Sequence, residues 1–458
     1  MMKIAFVAIN SSWSHSSLAL YYMRAMLEPE LYETVMLDYT TRDLPEDVLE
    51  LIYQQAPDVL CFSVYIWNRI YLQDLLPAVQ KVLPNSVLVI GGPEVENLVS
   101  NTKLSKYNYF IEGPGEAAFR KLDDEYFEGD YGFVSVRTHI PLKDIPFPYQ
   151  EEDKARLEGK LIYYETSRGC PFKCIYCLSA NDPRSEQRFN AVLPGDLVKL
   201  YQELDALFYL QPKTLKFVDR SFNTDKALAN RIWKYVIKHD EAPVCHFEIY
   251  PDLLTNDDLE ILKTAPENRI RFEVGIQSVH PEILQASGRR SDWPKAKAML
   301  LRLKNETRLI VHSDLLIGLP GDSMAGVLHS LDELMQTEPA ELQLGILKIL
   351  PDTPMCEQAT KLGYEWWTIP PYRIISSDAL SFEEVNYLDH LAHIINLYYN
   401  KGEFYPQWHH ILQSEAASVA FGKLLDYHLQ HELPLHSLQK TKRKAVFDSI
   451  FPGTAENL

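Results

Sequence analysis

Three cysteines in one short loop constrain this chain more than any other feature of its sequence. Residues 167 to 178 read Ser-Arg-Gly-Cys-Pro-Phe-Lys-Cys-Ile-Tyr-Cys-Leu, which places Cys170, Cys174 and Cys177 at the spacing C-x3-C-x2-C. Thiolates at such separations can wrap one corner of an iron–sulfur cluster, whereas a structural zinc ion takes four ligands. No second pair of cysteines is visible in the sequence. Three ligands on a four-iron cluster leave one iron open, so the loop indicates catalysis rather than structure.

The cysteine loop resembles the cluster-binding motif of the radical S-adenosylmethionine enzymes, in which an aromatic residue, here Tyr176, precedes the last cysteine. The resemblance implies a [4Fe-4S] cluster on Cys170, Cys174 and Cys177, with S-adenosylmethionine bound close to Tyr176. The alternative is three cysteines buried for packing, because free cysteines favour protein cores. Core cysteines have no reason to share a Gly-Cys-Pro loop, which favours the cluster.

Composition limits the class of protein. A chain of 458 residues that is 46% hydrophobic and 24% charged is long enough for two or three globular domains. Six cysteines, half of them in one loop, favour a reducing compartment, and residues 1 to 9 resemble a buried strand rather than a signal peptide, so we expect a cytoplasmic protein. No apolar stretch approaches the length of a membrane span. A net charge of -18 disfavours nucleic acid as a partner, although the short basic run at residues 440 to 444 could form a local patch.

The first part of the chain alternates short apolar runs with helical stretches. The apolar runs cover residues 3 to 9, 34 to 37, 59 to 64, 87 to 90 and 109 to 111. Strands that alternate with helices predict a doubly wound parallel sheet with helices on both faces. We therefore expect an α/β domain over residues 1 to 135, with its ligand site beyond the carboxyl ends of the strands.

The loops at those strand ends resemble the cobalamin-binding domain that precedes the catalytic domain in one large class of radical S-adenosylmethionine enzymes. The resemblance implies that the loops after the third, fourth and fifth strands hold the corrin and its nucleotide tail, through Ser63, Gly91, Gly92, Gly113 and Glu116. Glycine lets the backbone approach a ligand more closely than any residue with a Cβ. Tight turns between strands and helices also use glycine, so the glycines alone leave both interpretations open.

The chain departs from the older cobalamin pattern, because the Asp-x-His-x-x-Gly loop that supplies a histidine to cobalt is absent. The first loop instead contains His15, which could face cobalt or cap the helix that follows. The loop after the third strand contains Trp67 and Asn68, which we expect near the corrin. Its aromatic residues could equally cover the edge of the sheet.

A linker is predicted at residues 136 to 160, where alternation is lost and prolines accumulate. A second α/β domain follows over residues 161 to 365. Its predicted strands cover residues 161 to 164, 215 to 218, 245 to 249, 271 to 274, 310 to 316 and 341 to 349. Six units of strand and helix make a partial (β/α)6 barrel, in which catalytic residues lie at the carboxyl ends of the strands.

Polar residues at those strand ends again resemble the family, and the resemblance implies that they bind S-adenosylmethionine. They are Asp219, Glu248, Glu273 and Gln277. The family's Gly-Gly-Glu sequence is absent after the second strand of the barrel, and Asp219 takes its place in this interpretation. Buried carboxylates need a partner, which could be a polar ligand or a salt bridge with Arg220 or Arg271.

Residues 366 to 458 predict a mostly helical C-terminal domain. It resembles an uncharacterised extension, DUF4080, found in a subset of these enzymes, and it carries no functional inference. Its aromatic residues are expected in the core.

The resemblance as a whole implies an enzyme that cleaves S-adenosylmethionine reductively to methionine and a 5′-deoxyadenosyl radical. Cobalamin then implies methylation of an unactivated carbon in a small-molecule or peptide substrate, with a radical rearrangement or ring closure as the alternative. A non-catalytic cobalamin or iron–sulfur regulatory module is a further alternative. The cluster would need an electron donor such as flavodoxin or ferredoxin.

Overall fold

A computed structural model describes residues 1 to 136, 139 to 180 and 186 to 452. The remaining residues fall within the predicted linker, barrel and C-terminal domain and lie outside the described part of the chain. Strands and helices alternate over most of the described residues, as the pattern of apolar runs predicts.

The elements are numbered in chain order. Up to residue 217 they are β1 (Met2–Asn10), α1 (Leu18–Ala25), β2 (Tyr32–Thr40), α2 (Pro45–Gln55), β3 (Val59–Ser63), α3 (Arg69–Val82), β4 (Val87–Gly91), α4 (Val95–Ser100), β5 (Tyr109–Ile111), α5 (Gly115–Asp124), β6 (Gly132–Val134), α6 (Lys154–Leu157), β7 (Leu161–Tyr164), β8 (Ser167–Arg168), β9 (Glu186–Gln187), α7 (Pro194–Tyr209) and β10 (Thr214–Phe217).

The elements that follow are α8 (Lys226–Lys238), β11 (Val244–Glu248), α9 (Asn256–Leu262), β12 (Ile270–Gln277), α10 (Pro281–Ala286), α11 (Trp293–Glu306), β13 (Ile310–Ile317), α12 (Met324–Met335), β14 (Glu341–Ile346), α13 (Pro354–Gln358), β15 (Glu365–Trp366), β16 (Ile374–Ser376), α14 (Phe382–Tyr398), α15 (Tyr405–Ser414), α16 (Ala417–Gln430) and α17 (Lys440–Ile450).

The described chain divides into two compact units, of which the first comprises Met1–Ser167 and Glu186–Val218. Its main sheet has six strands in the order β2-β1-β3-β4-β5-β6, and neighbouring strands are parallel. The central strands β1 and β3 are buried on both faces, as expected for a parallel sheet covered by helices. Strand β6 adds one strand to the five that the sequence predicts, because its Gly-Phe-Val sequence lacks the continuous apolar run that marks the others.

Buried ion pairs, among them Arg24–Asp153 and Arg188–Glu203, stabilise the first unit outside this sheet. Arg24 of α1 donates to the carboxylate of Asp153 at 2.7 Å, which ties the proline-rich segment to the helix. Arg188 donates to both carboxylate oxygens of Glu203 at 2.9 Å. Such bidentate geometry suits the planar guanidinium group. Strands β7 and β10 of the same unit pair in parallel.

The second unit comprises Arg168–Ser185 and Asp219–Leu458. Strands β11 to β14 are parallel neighbours within it, and buried residues alternate with half-buried residues along β11, β12 and β13. One face of these strands therefore packs against the core and the other is partly open. The predicted fold class, two parallel α/β sheets followed by a helical C-terminal region, is confirmed.

Helices α14 to α17 form the C-terminal part of the second unit around buried aromatic rings. Phe404 and Phe447 stack with ring centroids 4.2 Å apart, and Trp408 lies beside them. The side-chain amide of Asn400 accepts from the Leu342 N–H at 2.9 Å and donates to the Leu342 carbonyl at 2.8 Å. The amide thereby satisfies backbone groups on β14 that a further strand would otherwise pair with.

Candidate cluster and cobalamin sites

The cysteine loop is held by backbone contacts on two sides. Ile175 donates its N–H to the carbonyl of Ser287 at 3.0 Å, just beyond α10, and accepts from the Met355 N–H of α13 at 2.9 Å. Gly288 lies directly beneath the loop, where a Cβ would come within 2.5 Å of the Lys173 carbonyl oxygen. The close approach requires glycine at this position, so Gly288, which lies outside the cysteine loop, helps to determine the conformation of the loop.

The three cysteines line one cavity of about 180 Å³ in the second unit. Cys170 and Cys174 are buried, and Cys177 is half-buried. Within residues 1 to 136, 139 to 180 and 186 to 452, no three His, Cys, Asp or Glu side chains converge closely enough to hold a single metal ion. Three thiols that line one cavity fit the three protein ligands of an iron–sulfur cluster.

The half-buried face of β11, β12 and β13 supplies the polar wall of this cavity. Glu248, Glu273, Gln277 and Asp314 line it, and the parallel register sets Glu248 beside Glu273. A β-bulge follows Gly275, and Gln277 takes a left-handed φ of 71°, which is uncommon for a residue with a side chain. Bulges of this kind redirect side chains near functional sites.

Partners within the protein already surround the two predicted glutamates. His246 Nε2 is 3.0 Å from a carboxylate oxygen of Glu273, and Arg220 Nη1 is 4.0 Å from Glu248. The salt-bridge alternative therefore applies to Glu248 through Arg220, while Arg271 lies 3.7 Å from Glu341 instead. Both glutamates remain partly exposed and line the cavity, so their carboxylates can also meet a ligand.

Asp219, unlike the other residues predicted to contact S-adenosylmethionine, is not among the residues that line the cavity. Its side chain is 1% exposed, and the neighbouring residue Arg220 is the one that lines the described cavity. Tyr176 lines the cavity with the cysteines. The roles of Asp219, Tyr176 and Gln277 toward S-adenosylmethionine stay predictions.

Reasoning from the sequence did not identify four residues that line the cavity. Arg289 is buried and donates to the hydroxyl of Tyr250 at 2.8 Å, and Phe172 stacks on the ring of Tyr250 at 4.1 Å. Burial raises the pKa of the Tyr250 hydroxyl well above its usual range, so it stays neutral. Asp314 is 3.1 Å from His312. Burial disfavours the charged form of His312, but Asp314, together with the charges of Glu273 and Glu341, outweighs burial and raises its pKa.

One sequence signal could have indicated part of this set. Asp314 lies within an apolar predicted strand, where an unpartnered carboxylate is unfavourable. Arg289 and Tyr250 carry no comparable signal, because a basic residue after a helix and a tyrosine before proline are both common on surfaces.

In the first unit, the loop after β1 is anchored to β7. The His15 Nδ1 atom lies 2.5 Å from the hydroxyl oxygen of Tyr163, at hydrogen-bonding distance, and Leu161 donates its N–H to the Ser14 carbonyl at 2.7 Å. Burial, and then the charge of Lys216, lowers the pKa of His15. The N-cap position of α1 belongs to Ser17, so His15 does not cap this helix, and its contact with cobalt stays a prediction.

Ser63 and Asn68 are buried and bonded within the protein. Ser63 Oγ is 3.1 Å from Ser17 Oγ. The Asn68 amide donates to the carbonyls of Ile9 and Ser63 at 3.0 Å and accepts from the Tyr65 N–H at 2.8 Å. Asn68 therefore fixes the loop after β3. Trp67, in the same loop, is 48% exposed and stacks on Tyr65 with ring centroids 4.3 Å apart.

The glycines at the strand ends differ in what surrounds them. A Cβ on Gly92 would come within 2.4 Å of the Val64 carbonyl oxygen, and one on Gly91 would lie 3.4 Å from Ile111. Packing inside the domain thus requires glycine at Gly92, whereas at Gly91 a Cβ would make only an ordinary contact. Gly113 has a φ of +74°, and no atom of the described residues lies within 4 Å of the position that a Cβ would take there. Glu116 is buried in the first turn of α5.

The carboxyl-end loops of the first unit nevertheless fit a large flat ligand. Trp13 is 69% exposed in the loop after β1, and Trp67 is 48% exposed in the loop after β3. Exposed indole rings at this edge, where parallel sheets bind ligands, offer apolar surface for the face of a corrin. The contacts of His15, Ser63, Trp67, Asn68, Gly91, Gly92, Gly113 and Glu116 with cobalamin stay predictions.

Three family models match successive parts of the chain. The B12 binding domain matches residues 4–123, the Radical SAM superfamily matches residues 164–334, and the protein family of unknown function DUF4080 matches residues 360–450. None of the described helices is long and apolar enough to cross a membrane.

Curated relatives are similar at low identity. The cobalamin-dependent radical SAM methyltransferase TokK of Streptomyces tokunonensis is 23% identical over 74% of this chain and 53% of its own length. The 2-(S-pantetheinyl)-carbapenam-3-carboxylate methyltransferase of Streptantibioticus cattleyicolor is 22% identical over 73% of this chain and 53% of its own. The chain thus spans about half the length of these two relatives. An uncharacterized methyltransferase of Pyrococcus horikoshii is 23% identical over 75% of this chain and 78% of its own.

Two solved structures share the fold. The radical S-adenosylmethionine methyltransferase TsrM from Kitasatospora setae, with tryptophan and aza-SAM bound, superposes with a TM-score of 0.64 over 81% of this chain and 80% of its own, at 17% identity. The cobalamin-dependent enzyme OxsB, with aqua-cobalamin and S-adenosylmethionine bound, gives 0.66 over 100% of this chain and 81% of its own, at 14% identity.

Fold, cysteine loop and family matches together define a radical S-adenosylmethionine enzyme. More particularly, the chain belongs to the radical S-adenosylmethionine enzymes with an N-terminal cobalamin-binding domain, in the subset that carries a DUF4080 domain toward the carboxyl end. Its cofactors are a [4Fe-4S] cluster, S-adenosylmethionine and cobalamin.

Proposed function

We propose that the protein is a cobalamin-dependent methyltransferase that methylates an unactivated carbon of a small-molecule or peptide substrate. The observation that carries the proposal is the cavity in which three cysteines face Glu248 and Glu273, in a chain that also has a cobalamin-binding domain. Methyl transfer is the activity named for TokK and for TsrM, which supports it over a rearrangement or ring closure.

The residues have distinct roles in this proposal. When bound, the cofactors supply one-electron cleavage of S-adenosylmethionine and a transferable methyl group. Cys170, Cys174 and Cys177 hold the cluster. The carboxylates of Glu248 and Glu273 bind the cationic cosubstrate, because they are partly exposed in the same cavity.

The remaining contacts are divided between the two cofactors. Tyr176 and Gln277 lie in the cavity and orient S-adenosylmethionine, and Asp219 supports this wall from its buried position. Trp67 supplies an apolar face to the corrin, while Ser63 and Asn68 hold its loop in shape.

Product analysis tests the proposal. Anaerobically reconstituted protein is incubated with S-adenosylmethionine, cobalamin and a chemical reductant, and both nucleoside products are quantified. Methyl donation leaves S-adenosylhomocysteine and reductive cleavage leaves 5′-deoxyadenosine, so a methyltransferase gives both. A rearrangement or ring closure gives 5′-deoxyadenosine alone, and a regulatory module gives neither. The Cys174→Ala variant is the control and should yield no 5′-deoxyadenosine.

We further infer a reducing, cytoplasmic setting and a low-potential electron donor such as flavodoxin or ferredoxin. None of the six cysteines, all of which lie in the described part of the chain, forms a disulfide, which supports the setting. The need for one electron in each cleavage supports the donor.

A further inference from the structure

A second cavity of about 960 Å³ opens beside the cysteine loop in the second unit. It is lined by the Pro171-Phe172-Lys173 segment of that loop, by Tyr250 and by the Arg289-Arg290 segment after α10. We call it the loop groove. It is more than large enough for a protruding side chain or a prosthetic-group edge of a partner protein.

The loop groove and the cluster cavity share one wall. Phe172, Tyr250 and Arg289 line both spaces. The Phe172 and Tyr250 rings are stacked 4.1 Å apart, and the Arg289 guanidinium lies 4.5 Å from the centre of the Tyr250 ring. A partner seated in the groove would therefore contact side chains that also line the cavity of the three cysteines.

The charges around the groove favour an acidic partner. Lys173 and Arg290 are exposed on its rim, and neither forms an ion pair with another of the described residues. Two carboxylates also line the groove: Asp252 accepts the Asp292 N–H at 3.0 Å, and Asp292 caps α11 and lies 3.4 Å from Lys295. With Arg289, the three cations of the lining outnumber these two carboxylates. The chain as a whole has a net charge of -18, so a rim on which Lys173 and Arg290 form no ion pair with the described residues is a local positive patch.

We propose that the loop groove is the docking surface for a small acidic one-electron carrier protein, held by Lys173 and Arg290. The inference rests on the proposed function, since only a cluster that is reduced for each cleavage needs such a partner. In the step, the reduced carrier loses one electron and the cluster gains one, with no bond made or broken and no proton transferred.

Charge reversal on the groove rim tests the proposal in the holoenzyme. Reduced flavodoxin and reduced ferredoxin serve as probes, and two quantities are measured: the Kd for the probe and its rate of cluster reduction, followed by absorbance. Lys173→Glu combined with Arg290→Glu should raise the Kd and slow reduction by about tenfold or more, and should weaken the salt dependence of both. Reduction of the Arg290→Glu variant by dithionite, which needs no docking surface, should be unchanged, because this variant leaves the cysteine loop unaltered.

Two further variants separate docking from other effects. Lys234→Glu combined with Lys442→Glu makes the same change in net charge at exposed positions away from the groove, and should leave the Kd for both probes unchanged. Arg290→Glu alone lies outside the cysteine loop and should retain full iron content while raising the Kd.

Three outcomes overturn the proposal: neither probe binds the parent, the groove variants bind as the parent does, or the control pair loses as much affinity as the groove pair. Absence of S-adenosylmethionine cleavage with dithionite would instead contradict the proposed function, while the Kd measurements would still report on the groove.

Discussion

Arg289 donates a hydrogen bond from Nη1 to the hydroxyl of Tyr250 at 2.8 Å, and the same guanidinium lies over the Tyr250 ring. Nη1 is also 4.0 Å from the Cys174 sulfur, and Nη2 donates to the Gly275 carbonyl. A buried cation is thus fixed by contacts with three residues, one of which is a predicted cluster ligand. Its charge favours the more negative, reduced form of a cluster bound there.

Removing this charge should make the cluster harder to reduce. Arg289→Gln is expected to lower the reduction potential by on the order of 60 mV, about a tenfold change in a one-electron equilibrium. Potentiometric titration followed by electron paramagnetic resonance measures it. Arg290→Gln removes an exposed charge next in sequence and should leave the potential unchanged. An unaltered potential in Arg289→Gln would show that the charge does not act on the cluster.

The cysteine loop should account for all cluster binding. Single replacement of Cys170, Cys174 or Cys177 by alanine should abolish the four-iron cluster, because three ligands leave none in reserve. Cys245→Ala is the matched control, since Cys245 is buried in β11, where burial raises the pKa of its thiol and keeps it protonated. Iron and sulfide analysis after anaerobic reconstitution distinguishes them. Full iron content in a triple variant of the loop would contradict the assignment.

Gly92 should matter for folding before it matters for cobalamin. Gly92→Ala places a Cβ 2.4 Å from the Val64 carbonyl oxygen at a φ of +113°, so we expect a loss of at least about 2 kcal/mol in the free energy of unfolding. Gly113→Ala meets none of the described residues within 4 Å and should lose only about 1 kcal/mol, from its left-handed φ. Denaturant unfolding of the cobalamin-free chain checks both. Equal stability of Gly92→Ala and parent, with weaker cobalamin binding, would indicate a ligand contact instead.

Asp322 should make the fold less stable as pH rises. Burial raises the pKa of this carboxyl from 3.8 to about 6. The folded state therefore holds a proton that the unfolded state releases, so its stabilising contribution is present below about pH 4 and is lost as pH rises toward 6. The Tm of Asp322→Asn relative to the parent should increase between about pH 4.5 and pH 7. Exposed Asp257→Asn should show no such trend. A constant Tm difference for Asp322→Asn would mean that its carboxyl does not titrate in this range.

Much of the fold could be predicted from hydrophobic periodicity and from the polar turns between apolar runs. The apolar runs at 59 to 64 and 87 to 90 fall on β3 and β4, because strands buried on both faces leave continuous apolar sequence. Strand β6 carries no such run, since its three residues are held by pairing with β5 rather than by their own pattern. Predictions from the hydrophobic pattern thus miss a strand that forms because it pairs with a neighbouring strand.

The candidate site divides in the same way. The cysteines and Glu273 could be identified from the sequence, because three cysteines in one short loop and a carboxylate in a buried strand are both unusual. Arg289 was not, because its position depends on the bend of the chain after α10 and on Tyr250 from another strand end. Asn68 and Gly92 were assigned to cobalamin from their position, yet internal contacts account for both residues. A position at a strand end predicts that the loop conformation is constrained. It does not show whether a bound ligand or a neighbouring part of the protein imposes that constraint.

His15 offers the sharpest test of the cobalamin site. Its Nδ1 is within 2.5 Å of the Tyr163 hydroxyl oxygen, and burial lowers its pKa, so the ring is neutral and already engaged. We expect the electron paramagnetic resonance spectrum of bound cob(II)alamin to lack axial nitrogen splitting, with no change in His15→Ala. Both His15→Ala and Tyr163→Phe should instead lower the stability of the cobalamin-free chain by about 1 kcal/mol, the typical net contribution of one hydrogen bond. Nitrogen splitting that is present in the parent and in Tyr163→Phe, but absent in His15→Ala, would make His15 a cobalt ligand.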